Sequence, residues 1–308
     1  MGLGEFDLIE QYFSEIGTSP WVRLAVGDDA AVLDLPDGQV QLVSTDTAVL
    51  GVHFLAETPP EVIAYRTVMA AASDLAAMGA QPVGMLLALT LPEANPEWLR
   101  RFAEGLRDAS DVTGLPLIGG DTTRGPLTLT VTVLGTAPRE RYLTRSGAQP
   151  GDRLCVSGTL GDAAAGLALL RGADISISAE HAAFLQERFN YPTARLALGQ
   201  SLNGAATSAI DVSDGLLADA NHLARASNVR LIIDSSLIPV SVALGAHPDP
   251  NQIREWTLRG GDDYELLFTV PDTRSLPPLA TEIGRVIEGA GVSCDGAVQQ
   301  TGYDHFER

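Results

Sequence analysis

Five short segments each deliver an aspartate where an apolar run ends: GDDAAV (27–32), STDT (44–47), SDLAAMGA (73–80), IGGDTTRG (118–125) and DVSDGL (211–216). Singly, each has an ordinary explanation, because Asp beside Gly forms turns and Ser/Thr-Asp ahead of a helix caps it. Turn chemistry does not, however, ask for Asp at the end of so many apolar segments. Carboxylates held about 4 Å apart repel by about 4 kcal/mol at an effective dielectric of 20, so a converging set requires cations. Hard oxygen donors with hydroxyls alongside, and no His or Cys at ligand spacing, select Mg2+ or Mn2+ over zinc or copper. Such an ion keeps positions open for phosphate, and the chemistry expected is the clamping of an anionic substrate. DVSDG is a near miss of a calcium loop, lacking the fifth-position acid and the terminal Glu and running straight into an apolar helix.

Other groups point toward phosphate with less specificity. Gly119-Gly120, ahead of Asp121, gives backbone N–H groups close access to an anion, or equally makes a tight turn between strands. SGTLGD (157–162) leads into the helix AAAGLALL, whose free N–H groups form a phosphate seat. Arg145 offers bidentate contact to a phosphate, against the commoner role of a solvated linker arginine. His53, between apolar neighbours in GVHFL, reads first as a core histidine, and the aromatics of GYDHF (302–306) either stack on a planar ring or dock the tail.

The elements that must position these groups alternate between helix and strand. GEFDLIEQYFSEI (4–16) has helical spacing, and two strands flank the turn Pro36-Asp37-Gly38. Thr58, Pro59 and Pro60 open a helix that Gly79 closes, apolar nearly all round, so Asp74 within it stands out. A strand over 83–91, a helix over 96–113, LPLIGGDTT and a strand over 127–135 with period-two alternation follow. The polar stretch between Thr136 and Asp152, with three arginines, reads as a domain boundary. Beyond it come RLCVSGTLGDAAAGLALLRG, a strand over 208–215, the helix GLLADANHLARAS, a strand over 229–234 and GGDDYELLFTV (260–270).

Composition narrows the choices further. The chain of 308 residues is long enough for one large domain or two ordinary ones, and its formal net charge of -19 disfavours a nucleic acid or an anionic membrane as partner. All 20 basic residues are Arg, which excludes a Walker lysine, a protein-kinase strand lysine, a Schiff base and a Ser-Lys nucleophile. Two distant cysteines, Cys155 and Cys294, suit a reducing cytoplasm, and no apolar stretch is long enough to span a bilayer.

The motifs GEFDLI, GDDAAV, STDTAVLGVHF, SDLAAMGA, LIGGDTTRGPL, LTRSGAQPGD, DVSDGL, GGDDYELLFTV and GYDHF occur in order over nearly the whole chain. Together they resemble the thiamine-monophosphate kinase family of the aminoimidazole ribonucleotide synthetase superfamily. STDTxxxxxHF with GGDTTRG separates that family from its relatives. The resemblance implies an α+β, two-layer fold in two domains: residues 1–138, binding metal and ATP and pairing two chains through their sheets, and an α/β sandwich over 149–308 completing the nucleotide and substrate cleft. It implies a homodimer that makes thiamine diphosphate from ATP and thiamine monophosphate with several Mg2+ ions. It carries metal-ligand roles to Asp29, Ser44, Thr45, Asp46, Asp74, Asp121, Asp211 and Asp214, nucleotide contacts to Gly120, Asp121, Arg145 and Ser213, and substrate contacts to His53, Asp262 and Tyr303. In the GGEDYEL loop the family's Glu is here Asp262, one methylene shorter, with Asp263 as the alternative.

Such an acceptor is already ionised at neutral pH, so no general base is expected, in keeping with the lack of a nucleophile-His-Asp arrangement. Direct transfer without a phosphoenzyme follows. Two alternatives stand beside this one: another ATP-dependent enzyme of the superfamily, such as an aminoimidazole ribonucleotide synthetase, and a non-catalytic acidic metal-binding protein.

Overall fold

The computed structural model describes residues 5–27, 29–295 and 297–299, in two compact units. The first comprises 1–75 and 80–140, the second 76–79 and 141–308.

The first unit runs α1 (Glu5–Phe13), β1 (Val22–Leu24), β2 (Val32–Leu33), β3 (Gln39–Val49), α2 (Pro60–Ala77), β4 (Gln81–Leu91), α3 (Pro96–Thr113), β5 (Leu117–Arg124) and β6 (Thr128–Pro138). Its main sheet has the order β3-β6-β4-β5, with β4 and β5 parallel and the other pairs antiparallel. One face carries Met85, Leu87, Leu89, Leu129, Val131 and Val133, all buried. The helix α2 lies against that face at Leu75, whose side chain reaches Gly135 of β6. Because Val62, Ile63, Ala64, Val68, Met69, Ala71, Ala72 and Ala76 are buried as well, α2 is covered on nearly every side, as its largely apolar sequence demands. Outside it, α3 is amphipathic, burying Leu99, Phe102, Ala103, Leu106 and Ala109. It starts where Asn95 Oδ1 accepts from the N–H groups of Glu97 and Trp98, and stops at Gly114 with φ of 72°. The opposite face of the sheet is open: Val43 is 59% exposed, and Thr45, Thr47 and Ala88 are exposed too.

The second unit runs β7 (Arg153–Ser157), α4 (Asp162–Leu170), α5 (Ala179–Asn190), α6 (Leu196–Leu202), β8 (Ser208–Val212), α7 (Leu216–Ser227), β9 (Arg230–Ile233), α8 (Val242–Gly245), α9 (Pro250–Arg259), β10 (Glu265–Val270), β11 (Ala280–Ile287), β12 (Gly291–Cys294) and β13 (Ala297–Gln299). The sheet order is β13-β12-β9-β11-β7-β10-β8. Leu216, Leu217, Ala220, Leu223 and Ala224 of α7 form one core with Leu154, Val156, Ile210, Val212, Leu231, Ile283 and Val292 of the strands. A smaller cluster joins α4, α5 and α8 through Ala165, Leu185, Ala243 and Leu244, with Trp256 packed against it. Both units are mixed helix and sheet, the α+β layering expected.

Three local expectations are corrected. The first helix is described over Glu5–Phe13, shorter than 4–16. The strand over 208–215 stops at Val212, because Gly215, at φ of 106°, turns the chain into α7. Gly119 and Gly120 make no turn; they lie inside β5.

Candidate metal and phosphate site

In the first unit the expected ligands are set by the pleat of β3. Ser44 and Asp46 are two apart and half-buried on the helix-covered face, whereas Thr45, between them, faces the open side and pairs its hydroxyl with that of Thr132 at 2.9 Å. Asp74 meets this strand from α2: its Oδ2 accepts from Ser44 Oγ at 2.5 Å. A half-buried carboxylate in so apolar a helix is therefore answered by a hydroxyl thirty residues away. Asp121 is positioned otherwise. It is in register with Ala88, Thr130 and Thr47, the row next to that of Asp46, Val131, Leu87 and Gly120, and it is exposed. Asp29 is exposed in the bend between β1 and β2. His53 follows β3 in a short turn, where its Nδ1 accepts from the N–H of Val49 at 3.1 Å. That contact puts the proton of the neutral ring on Nε2 and aims it away from the strand. Gly120 is explained by packing: a Cβ there would come within 1.9 Å of the Leu87 carbonyl oxygen.

In the second unit, Asp211 is buried at the end of β8, with Ser213 and Asp214 half-buried in the turn after it. Asp219, in the first turn of α7, ties that turn down. Its Oδ2 accepts from the N–H groups of both Ser213 and Asp214 at 3.1 Å. Burial, and then the charges of Asp211 and Asp214, push Asp219 up to about 8. The sequence reading passed over Asp219; its signal is an acid inside GLLADANHL, on a face that α7 otherwise buries. Arg145 is exposed, and its carbonyl accepts from Ser227 Oγ at 2.9 Å.

The segment SGTLGD behaves differently from a phosphate seat. Gly161 precedes α4 at φ of 85° and has no side chain to cap it, so the helix start is capped by Asp263: Oδ2 accepts from Gly161 N–H at 2.6 Å and Oδ1 from Ala163 N–H at 3.2 Å. A carboxylate of the protein occupies the place a phosphate was expected to take. Asp263 is fully buried and pushed up to about 8 by that burial, with the two N–H groups pulling it down, Asp162 raising it and Arg188 lowering it. Asp262 is instead half-exposed and lines a pocket of about 570 Å3 with Trp256, Leu167, Ala168 and Arg171. Of the two acids in that loop, Asp263 is buried and Asp262 lines the pocket. Tyr303 lies outside the described residues.

Glu265 was also passed over. Fully buried on β10, it accepts from Ser157 Oγ at 2.5 Å, from Arg195 Nε at 2.7 Å and from Arg188 Nη2 at 3.1 Å. A buried carboxylate held by two guanidinium groups and a hydroxyl is a structural tie between β7, β10, α5 and the start of α6.

Among the described residues no group of three or more His, Cys, Asp or Glu is placed to hold a metal ion. What the fold does bring together is hard oxygen chemistry in each unit: in the first, Ser44 bonded to Asp74 of α2, with Asp46 on the same face of β3 as Ser44, and in the second, Asp211, Asp214 and Asp219 around one turn. Those donors fit Mg2+ and suit no softer metal.

Residues 27–137 match the family model AIR synthase related protein, N-terminal domain, and residues 149–295 match its C-terminal domain. The two units thus carry the fold of AIR synthase related proteins. Thiamine-monophosphate kinase of Escherichia coli (strain K12) is 45% identical over 322 residues, covering 99% of each chain. The crystal structure of thiamine-monophosphate kinase from Stenotrophomonas maltophilia K279a aligns with a TM-score of 0.86 at 42% identity, covering 91% of this chain and 93% of that one. A further solved structure, AaThiL complexed with AMPPCP and TMP, aligns with a TM-score of 0.82 at 36% identity, covering 99% and 97%. The chain belongs to the thiamine-monophosphate kinase family.

Proposed function

We propose that the protein transfers the terminal phosphoryl group of ATP to thiamine monophosphate, giving ADP and thiamine diphosphate. The observation that carries this is the end-to-end identity with Escherichia coli thiamine-monophosphate kinase, 45% over 99% of both chains. The relative bound to AMPPCP, a non-hydrolysable ATP analogue, and to TMP supports the same pair of substrates.

The acceptor phosphate is ionised at neutral pH, so the residues need only hold two anions in line and neutralise charge on the group in flight. Ser44, Asp46, Asp74, Asp29, Thr45 and Asp121 are the proposed Mg2+ ligands of the domain 1–138, with Asp211 and Asp214 those of the domain 149–308. Bound Mg2+ supplies neutralisation of the polyphosphate and orientation of its oxygens. Arg145, Gly120 and Ser213 contact the nucleotide, while His53, Asp262 and Tyr303 contact thiamine monophosphate. The transfer is direct, without a phosphoenzyme. The open sheet face bearing Val43, Thr45 and Thr47 supports pairing of two chains as a homodimer. No helix among the described residues is long and apolar enough to cross a membrane, and we assign the protein to the cytoplasm.

ADP release measured against a panel of acceptors tests the reading: thiamine monophosphate is expected to drive turnover and a formylglycinamidine-type ribonucleotide to be inert. Turnover on the ribonucleotide alone would move the chain to the synthetase branch of the superfamily.

A further inference from the structure

The chain from Gly260 to Tyr264, between α9 and β10, adopts a conformation its side chains disfavour. Asp262 has φ of 69° and Tyr264 φ of 52°, both left-handed for residues that carry a Cβ. Such a backbone persists only where its surroundings fix it from several directions. The N–H of Asp262 donates to Ser213 O and that of Tyr264 to Val212 O, each at 2.9 Å, which ties the segment to the end of β8. Gly261 is pressed so closely there that a Cβ would stand 2.4 Å from Ser213 O. Tyr264 closes over the bend by donating its hydroxyl hydrogen to Asp262 Oδ1 at 3.0 Å.

Asp263, between the two strained residues, points the other way. Its carboxylate runs into the start of α4, taking the N–H groups of Gly161 and Ala163. The helix cannot cap itself, because residue 161 must be glycine: its φ is 85° and a Cβ would stand 2.9 Å from the Thr257 amide nitrogen. One contact therefore both completes α4 and fixes the segment that presents Asp262 to the pocket beside Trp256 and Arg171.

We propose that Asp263 is a positioning residue for the acceptor, holding Asp262 at the pocket by anchoring the intervening backbone to the N-terminus of α4. The inference rests on the kinase reading above and on Asp262 as a contact of thiamine monophosphate. Asp263 itself is buried and touches no substrate.

Steady-state kinetics of Asp263→Asn with each substrate varied in turn provide the test. The KM for thiamine monophosphate is expected to rise about tenfold, the loss of one buried hydrogen bond's worth of positioning, while kcat and the KM for ATP stay within about twofold. Asp263→Ser, whose hydroxyl accepts from only one of the two N–H groups, is expected to show the same split, so the outcome does not hang on one variant folding. In an Asp262→Ala background, adding Asp263→Asn should change the KM for thiamine monophosphate no further, since the residue it positions is gone. A folded variant with an unchanged KM for thiamine monophosphate, equal changes in both KM values, or a full additional effect in the Asp262→Ala background would overturn the proposal. Wild-type protein inactive on thiamine monophosphate would instead refute the activity, whatever the variants do.

Discussion

Asp74 shows what a single side chain can reveal. Its neighbours in α2 are mostly buried and apolar, and Asp is a poorer helix former than Ala, so its place there points to chemistry rather than to packing. Asp74→Asn keeps an oxygen to accept from Ser44 and removes the charge. Thiamine diphosphate formation by that variant at limiting magnesium should fall about 100-fold, recovering in part as magnesium is raised, with the unfolding temperature little changed. Near-normal turnover at limiting magnesium would remove Asp74 from the metal site. Asp263 carries a separate prediction. Its folded value of about 8 lies above the ordinary 3.8, so between those values the folded state holds a proton that the unfolded chain has released. Stability is then greatest below pH 4 on this group's account and declines as pH rises toward 8, by about 1.4 kcal/mol per pH unit. Urea unfolding at pH 5, 6 and 7 should show a shallower decline for Asp263→Asn than for wild type; parallel curves would place the titration elsewhere. Most residues of the candidate site stand out in the sequence as acids at or near the ends of apolar runs. Asp219 and Glu265 were not, because neither stands at a turn: one lies inside a helix and one inside a strand, where only the fold discloses their partners.

Elements with strong periodicity and clear ends were readable directly. The strand β6 alternates Leu and Val with Thr, and its buried and half-buried residues follow that alternation. The helix α3 begins and ends where Pro96 and Gly114 say it should. By contrast, β11 and β12 drew no reading: Glu282 and Arg285 interrupt the apolar pattern of the first, and the second is four residues long. The glycine pair of β5 also misled as a turn, since both residues lie inside the strand, where Gly120 answers the approach of β4. Gly105 offers a test of the same kind in α3. Helix propensity alone favours Ala there by about 1 kcal/mol, yet a Cβ would stand 2.1 Å from the Glu61 carbonyl oxygen of α2. Gly105→Ala is therefore expected to destabilise the protein by about 2 kcal/mol or more, because two backbones must separate. Equal or greater stability by denaturant unfolding would show that α2 and α3 do not approach so closely.

At the scale of the whole molecule, the order of nine motifs along the chain was what made the α+β fold and its family legible, where no single motif sufficed. Composition contributed by exclusion: a net charge of -19 with no lysine leaves arginine as the main cationic side chain for meeting a phosphate. The open face of the first sheet is the corresponding prediction for assembly. Val43, at 59% exposure amid threonines, is a residue that a partner sheet would cover. Sedimentation should give twice the chain mass for wild type and the chain mass for Val43→Asp, whereas a monomeric wild type would leave that face without an occupant. The central claim is the chemistry itself: oxygen ligands drawn from separate segments hold magnesium for transfer between two phosphates. The most direct test is thiamine diphosphate formation by the purified protein from ATP and thiamine monophosphate, followed as free magnesium is titrated. Product that appears only with magnesium, one thiamine diphosphate for each ADP, is the predicted result; ADP formed without thiamine diphosphate, or turnover indifferent to magnesium, would contradict it.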